Sequence, residues 1–180
     1  MANNNNGKIH QCEIFDEEIT IRCRKSLTVS FEEGDKKVKG LIVVIGLNPS
    51  KADDFRSDHT VTNLKNYFQS RCRQMLIYNL FQNYSTEQYG IVEQTATDFS
   101  ETAIQTRLQE ADEIVIAWGV GTQYAYSKTQ AIKQLNNYKS KLRMFQNSKT
   151  KRGPCHPRNG LNHLTYTNYS SNVTSNLIHD

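Results

Sequence analysis

Runs rich in apolar residues mark the predicted strands of this chain. The run from Leu41 to Ile45, LIVVI, has no polar residue, which is typical of a strand buried on both faces of a sheet. Three further segments are rich in apolar residues: Met75 to Phe81, which contains Asn79, Ile114 to Trp118, and the shorter Leu142 to Phe145, which contains Arg143. These runs predict four strands of a mainly parallel sheet, with the LIVVI strand near its centre.

Between the predicted strands, apolar residues recur at helical spacing. The segment Asp58 to Arg73 has this pattern, and so does Tyr124 to Tyr138, so each is predicted to be a helix. The stretch Asp98 to Glu101, DFSE, resembles a capping box and predicts that another helix begins there. Strands that alternate with helices indicate βαβ units and therefore a parallel sheet with helices on its faces.

The N-terminal part has a different pattern. Apolar and polar residues alternate in stretches of Gln11 to Phe31, which predicts an antiparallel hairpin. A length of 180 residues suits one domain. We therefore predict a single α/β domain over residues 9–164, with flexible tails at 1–8 and 165–180. Its predicted architecture is three-layered, αβα, with a mainly parallel four-stranded sheet and an N-terminal β-hairpin.

Composition excludes several classes of protein. The chain has no apolar run of membrane-spanning length, and its first residues, MANNNNGK, lack the apolar stretch of a signal peptide. We therefore expect a cytoplasmic protein that does not bind membranes. The cysteines form no CxxC pair, so no disulfide framework, metal site or cofactor is predicted; they are Cys12, Cys23, Cys72 and Cys155. The acidic group Asp53, Asp54 and Asp58 could hold a divalent cation, or it could be a solvated loop.

Charge is distributed unevenly along the chain. The net charge is +4, but the segment from Gly121 to Asp180 contains nine basic residues and one acidic residue. Such an excess indicates an electropositive face and a phosphate-bearing partner, either a nucleic acid or a nucleotide. The alternative is a solvated surface whose charge serves solubility.

Polar residues and glycines follow each predicted strand. Asn48 follows the first strand just beyond Gly46, Asn79 ends the second, and Trp118 ends the third. His156 lies in a loop after the fourth strand. Since the carboxyl ends of parallel strands share one edge, we expect these side chains to line one cleft. The alternatives are local, because Asn-Pro-Ser is a common turn and an asparagine can cap its own loop.

Several of these segments resemble known families. Ile45 to Ser50, IGLNPS, resembles the first active-site motif of the uracil-DNA glycosylase superfamily, in particular its mismatch-specific branch. With Lys51 to Asp53 added, it resembles more closely a bacterial and phage family, domain-of-unknown-function family 1643. The segments Asn79 to Phe81, Ala117 to Gly119 and Gly153 to Pro157 resemble further motifs of that family. The resemblance covers about residues 20 to 160.

The resemblance implies a uracil-DNA glycosylase-like fold and a protein that acts on, or recognises, a possibly modified nucleobase in nucleic acid. Asn48 and His156 are then the implied catalytic residues: Asn48 orients a water molecule, and His156 contacts the departing base or a phosphate. Asn79 would read the edge of the base. The implied binding residues are Gly46, Leu47, Pro49, Ser50, Asp58, Asn79, Phe81, Trp118, Gly119, Lys151, Arg152, Pro157 and Arg158.

Two residues depart from the glycosylase pattern. Ser50 stands where the mismatch-specific motif has glycine, and Arg158 stands where a serine follows His-Pro. An arginine there can clamp a phosphate or stack on a base, which favours a nucleotide or a modified base over plain uracil. The alternatives are a non-catalytic protein that senses or sequesters nucleotides or nucleic acid, and a hydrolase or transferase of free nucleotides.

Overall fold

The computed structural model describes residues 7–16, 19–31, 39–49, 59–84, 91 and 93–170. The strands are β1 (Gly7–Asp16), β2 (Ile19–Ser30), β3 (Lys39–Gly46), β4 (Cys72–Asn79), β5 (Glu113–Ile116), β6 (Leu142–Asn147) and β7 (Leu164–Asn168). The helices are α1 (His59–Phe68), α2 (Thr102–Glu110) and α3 (Ala125–Gln134). Short 3₁₀ segments occur at Glu93–Thr95, Asn136–Lys141 and Pro157–Asn159. None of these helices is long and apolar enough to cross a membrane.

All seven strands form one mixed sheet in the order β1-β2-β4-β3-β5-β6-β7. Its middle four strands, β4, β3, β5 and β6, are parallel, and β2 and β7 extend the sheet with antiparallel pairing at either side. The middle strand is β3, and Leu41–Ile45 within it are at most 8% exposed. The apolar run thus predicted the central strand correctly, because only a strand covered on both faces tolerates five consecutive apolar residues.

Alternate residues of β3 belong to two separate apolar cores. Ile42 and Val44 pack with Val61, Leu64 and Phe68 of α1 on one face. The other residues of the strand pack against the opposite core, which includes side chains of α2 and α3; these are Ile104, Leu108 and Ala131. Because successive side chains of a strand point to opposite faces, helices cover the sheet on both sides.

The order of the parallel strands contains a reversal. From β3 the chain passes through α1 to β4 on one side, and then through α2 to β5 on the other side of β3. The connection from β5 through α3 to β6 continues in that second direction. The reversal point lies between β3 and β5, and open α/β sheets bind ligands in the crevice outside the carboxyl ends of such strands. We call this side of the sheet the carboxyl edge and the opposite side the amino edge.

Several details differ from the sequence-based expectations. The sheet was expected to have four strands, but it has seven, because the N-terminal hairpin and β7 pair with its parallel strands. The helix expected to reach Arg73 ends at Phe68, and β4 begins at Cys72. Residues 165–168 were expected to lie in a tail, but they belong to β7 and pair with β6. The capping box was also wrong: α2 is preceded by Glu101, which makes no side-chain cap. Asp98 instead accepts hydrogen bonds at Oδ1 from the backbone and hydroxyl of Ser100, at 2.9 and 2.6 Å. An aspartate that bonds the backbone two residues later forms a local turn, which competes with helix capping.

Candidate functional site

A cavity of about 200 Å³ lies at the carboxyl edge, on the face of the sheet that α1 covers. The end of β3 contributes Gly46–Asn48, β4 contributes Asn79, and the first turn of α1 contributes His59–Val61. Arg24 of β2 and the segment His156–Arg158 complete the polar part of the lining. The cavity is therefore located where the strand order of the sheet predicts a ligand site.

Asn79 is held tightly at the end of β4. It pairs in register with Gly46 of β3, and its backbone oxygen accepts a hydrogen bond of 2.6 Å from the hydroxyl of Thr97. The side chain is only 4% exposed, and its Nδ2 atom has no hydrogen-bond partner. A buried amide nitrogen without an acceptor costs free energy in the empty protein. The position therefore favours a ligand that presents an acceptor atom.

The segment His156–Arg158 is tied to the sheet and to α1. After β6 the chain turns back, and the backbone N–H of Cys155 donates to the carbonyl of Phe145 at 2.7 Å. Asn63 of α1 then donates from Nδ2 to the carbonyl oxygens of Pro157 and Arg158, at 2.8 and 3.2 Å. These bonds bring the loop after the fourth parallel strand over the end of β5 and against α1.

His156 is oriented by its own loop. Its Nδ1 atom accepts a hydrogen bond of 3.2 Å from the backbone N–H of Arg158, as the residue that caps the 3₁₀ segment Pro157–Asn159. In a neutral imidazole the other nitrogen, Nε2, must then carry the proton. Gly119 lies next to His156: a Cβ atom there would be in ordinary contact, at 3.5 Å, with the Cβ of His156, and its φ of +91° is one that favours glycine. His156 is therefore arranged to donate a hydrogen bond from Nε2.

Arg24 is a cavity residue that the sequence did not indicate. It is 2% exposed, and its guanidinium carbon lies 5.8 Å from the centre of the Tyr84 ring. The alternation of residues in the hairpin groups Arg24 with the polar side chains of Thr20 and Arg22, but in the structure β2 pairs with β4 and Arg24 lines the cavity beside the end of β4. No sequence pattern distinguishes a buried arginine of this kind from an exposed one.

The described lining of the cavity is rich in cations and hydrogen-bond donors. It includes the guanidinium groups of Arg24 and Arg158 and the imidazoles of His59 and His156. Among the described residues that surround the cavity, none is acidic. Charge and hydrogen-bonding capacity therefore both favour an anionic or acceptor-rich ligand.

Seven of the expected site residues line this one cavity: Gly46, Leu47, Asn48, Asn79, His156, Pro157 and Arg158. Pro49 is buried, and its carbonyl accepts a hydrogen bond of 3.2 Å from Nδ2 of Asn48. Ser50 and Asp58 lie outside the described residues. The structure thus brings together both residues that the glycosylase resemblance implied to be catalytic.

Six of the expected residues that the structure describes do not line the cavity: Pro49, Phe81, Trp118, Gly119, Lys151 and Arg152. Trp118 and Phe81 are buried in the core on the opposite face of the sheet. Ala117 faces the cavity, so Trp118, as the next residue along an extended segment, points the other way. Lys151 and Arg152 are exposed in the turn after β6, also outside the cavity lining.

The basic residues of the C-terminal third do not form one surface. Lys139 and Lys141 precede β6, at the amino edge, and Arg143 bonds the carboxylate of Glu113 there at 3.1 Å. The turn after β6, which contains Lys149, Lys151 and Arg152, lies instead at the carboxyl edge. The residues of this turn and Arg158, together with Lys128 near the start of α3, carry positive charge at the carboxyl edge.

The cysteines and acidic residues form no metal site within the described ranges. Asp53, Asp54 and Asp58, the acidic group considered from the sequence, lie outside those ranges. Cys72 and Cys155 are free thiols, and Cys72 is buried, as is Cys23. Burial raises the pKa of Cys72 to about 12, so this thiol is protonated at neutral pH.

Taken together, the fold and the site define an α/β protein with a donor-rich ligand cavity at the point where its parallel strand order reverses. The chain belongs to the family described as "Protein of unknown function (DUF1643)", whose model matches residues 24–158. That match begins at Arg24 and ends at Arg158, the two arginines that line the cavity. Searches of curated proteins and of solved structures found no significant match to the chain.

Proposed function

We propose that the cavity binds a nucleobase and that the protein is a DNA glycosylase-like hydrolase of the N-glycosidic bond. The observation that carries this proposal is the amide of Asn79, which is buried at the base of the cavity with an unsatisfied donor. A planar base presents carbonyl oxygens and ring nitrogens along its edge, and an amide can pair with such an edge.

The size of the cavity supports a single base as the occupant. Its volume, about 200 Å³, is below the roughly 300–1,000 Å³ that is typical of sites for whole drug-sized ligands. A base rotated out of a nucleic acid would fit in it, with the sugar at its mouth and at most one phosphate of the nucleotide against its wall. Rotation out of the stack costs a few kcal/mol, which contacts inside the cavity would offset.

The proposed reaction uses two residues of the lining. Asn48 orients a water molecule toward the sugar C1′ carbon, and His156 donates a hydrogen bond from Nε2 to the base as the bond between C1′ and nitrogen breaks. The water oxygen bonds to C1′, the departing nitrogen keeps the electron pair of the broken bond, and a proton from the water passes to the base. The products are a free base and an abasic sugar.

A second candidate function is binding without turnover, as a sensor or a protein that sequesters nucleotides or nucleic acid. The observation that favours it is the lack of a carboxylate among the described lining residues, since carboxylates are frequent general bases. Under this alternative Asn79 and Arg158 hold the ligand in the same way. No water molecule needs to be activated.

The two functions are distinguished by an assay for abasic sites. DNA that contains uracil, a mismatch or a bulky modified pyrimidine is incubated with the protein and then cleaved with alkali. Hydrolysis by the natural protein and by Asn137→Ala, an exposed asparagine far from the cavity in sequence, but not by Asn48→Ala, supports the first function. Binding that requires Asn79 without any strand cleavage supports the second. A protein that neither cleaves nor binds these DNAs contradicts both.

A further inference from the structure

One wall of the cavity is built from three elements that all present hydrogen-bond donors. Arg24 comes from β2, His59–Val61 form the first turn of α1, and Asn79 ends β4. The backbone N–H of Arg24 donates to the carbonyl of Gln82 at 2.8 Å, so β2 remains attached to the chain beyond the end of β4. The guanidinium is therefore carried on a rigid strand rather than on a surface loop.

The first turn of α1 adds a positive electrostatic contribution. The first four backbone N–H groups of an α-helix have no partner within the helix, and the helix dipole places partial positive charge at that end. The helix has ten residues, long enough for this effect, and its first three residues line the cavity. A helix terminus alone does not identify a ligand, because water can satisfy its N–H groups.

Asn79 is the independent observation that points to a ligand. Its side chain is 96% buried, and its Nδ2 atom lacks any acceptor within the protein. The amide nitrogen carries two hydrogens, so it can donate to a base and to a second acceptor at once. Together with the guanidinium of Arg24, this amide can donate hydrogen bonds to the oxygens of a tetrahedral oxyanion.

We infer that Arg24, the first turn of α1 and Asn79 form an oxyanion subsite that binds a phosphate group of the ligand. For the rest of the ligand the inference relies on the proposed function, but phosphate binding itself does not depend on base hydrolysis. Two kinds of ligand carry such a phosphate: a mononucleotide, as its terminal phosphate, and a nucleic acid, as a phosphate of its backbone. The chemistry at the subsite is the same for each.

The test measures binding by calorimetry to inorganic phosphate, a nucleoside 5′-monophosphate, the matching nucleoside and a short oligonucleotide. We expect the monophosphate to bind at least about tenfold more tightly than the nucleoside. Tighter binding of the monophosphate than of the oligonucleotide identifies a mononucleotide as the source. The reverse order identifies nucleic acid. Equal affinities for nucleoside and monophosphate, with no binding of inorganic phosphate, overturn the inference.

The deciding variant is His59→Asp. His59 is exposed at the first turn of α1, where a carboxylate stabilises the helix through its dipole and simultaneously repels a phosphate. We therefore expect unchanged or higher thermal stability together with a loss of monophosphate affinity of about tenfold or more. The matched control is His163→Asp, an exposed histidine in the turn before β7, which should bind like the natural protein.

Arg24→Lys supplies a second variant that keeps the charge but removes the fork of donors. We expect it to weaken monophosphate binding several-fold. Unweakened binding in His59→Asp contradicts the subsite, whether or not Arg24→Lys folds. Phosphate binding without abasic sites in DNA would sustain the subsite and refute the hydrolase. Abasic sites in DNA, together with no preference for phosphorylated ligands, would support the hydrolase and contradict the subsite.

Discussion

The side-chain oxygen of Asn79 lies where a side chain on Gly46 would have to be. A Cβ atom built on Gly46 would approach this Oδ1 atom to 2.7 Å, closer than van der Waals contact allows. The two residues are register partners on β3 and β4, so the glycine provides the space in which the amide is positioned. The glycine is therefore needed for the position of the Asn79 amide on the neighbouring strand as well as for the turn after β3.

We predict that Gly46→Ala displaces the amide of Asn79 and abolishes ligand binding while the fold is retained. Overpacking of this kind costs about 1–3 kcal/mol of stability, which chemical denaturation will measure. The control is Gly40→Ala on the same strand, where a Cβ atom would meet Oδ2 of Asp112 at an ordinary 3.5 Å. If Gly46→Ala binds ligand as well as Gly40→Ala does, the amide is not needed in its present position.

Asn63→Ala tests the connection between α1 and the His156 loop. Removing Nδ2 leaves the carbonyls of Pro157 and Arg158 without this donor, and we expect a loss of about 1–2 kcal/mol in unfolding free energy. In the natural protein the backbone N–H of Arg158 donates to Nδ1 of His156. We expect hydrogen exchange at this N–H to become faster in the variant. Nuclear magnetic resonance can follow that amide. Asn137→Ala removes an exposed amide elsewhere and should change neither quantity.

The basic residues at the two edges of the sheet should differ in their effect on nucleic-acid binding. Replacing Lys151, Arg152 and Arg158 by alanine removes charge at the carboxyl edge. We expect the slope of log affinity against log salt to fall by up to about 3 units, since each phosphate contact contributes nearly one. Stability should change little, because the first two side chains are exposed.

The matched control is the triple variant Lys133, Lys139 and Lys141 to alanine, in which all three lysines lie toward the amino edge. Its salt slope should equal that of the natural protein, and so should the slope of Asn48→Ala, which alters chemistry rather than charge. Binding that is insensitive to salt in the natural protein would contradict the nucleic-acid interpretation. It would favour a small ligand.

A buried carboxylate at the amino edge makes stability depend on pH. Burial alone would raise the pKa of Glu113, but hydrogen bonds from Lys39 and Tyr166 and the charges of Lys39 and Arg143 outweigh it, so the pKa lies below its ordinary value of 4.5. A carboxyl whose pKa is lowered by folding contributes stability above its unfolded pKa and loses it as pH falls through the folded value. Stability should therefore decline below about pH 4.5.

Glu113→Gln should remove this contribution. We expect a loss of about 1–2 kcal/mol at pH 7, reduced because Lys39 and Arg143 are partly exposed, and little difference from the natural protein near pH 3. Urea unfolding at both pH values will measure it. The control is Glu110→Gln, whose ion pair with Arg107 is exposed and should contribute less than about 0.5 kcal/mol. Equal losses at both pH values would contradict the electrostatic origin.

The sequence predicted the centre of the fold and part of the site for a simple physical reason. An apolar run such as Leu41–Ile45 has few stable environments, and a strand that ends in Asn48 or Asn79 must present that residue at the carboxyl edge. Both predictions depend on local patterns. They needed no knowledge of which strands are neighbours beyond the parallel arrangement itself.

Other features depend on neighbours that no local pattern encodes. Arg24 lies beside the cavity because β2 pairs with β4. Trp118 faces away from the cavity because successive side chains of an extended segment point to opposite faces of the sheet. The strand β7 is short and polar, and it is recruited by pairing with β6 and by the hydroxyl of Tyr166, which donates to Glu113 at 2.8 Å. The strand propensity of its residues alone does not predict that this segment forms a strand rather than a flexible tail.

The cavity lining begins at Arg24 and ends at Arg158, with residues of two parallel strands, the residue after a third and one helix between them. No fragment of the chain holds all of these groups, so the recognition surface exists only in the completely assembled domain. A ligand that binds there selects the native state over every partly folded one. At a concentration about 100 times its Kd it would add about 2.7 kcal/mol to the unfolding free energy. The natural ligand can therefore be sought by calorimetric melting of the intact protein with a panel of nucleosides, nucleotides and oligonucleotides. The ligand that raises the thermal stability of the whole domain is the one that binds the cavity.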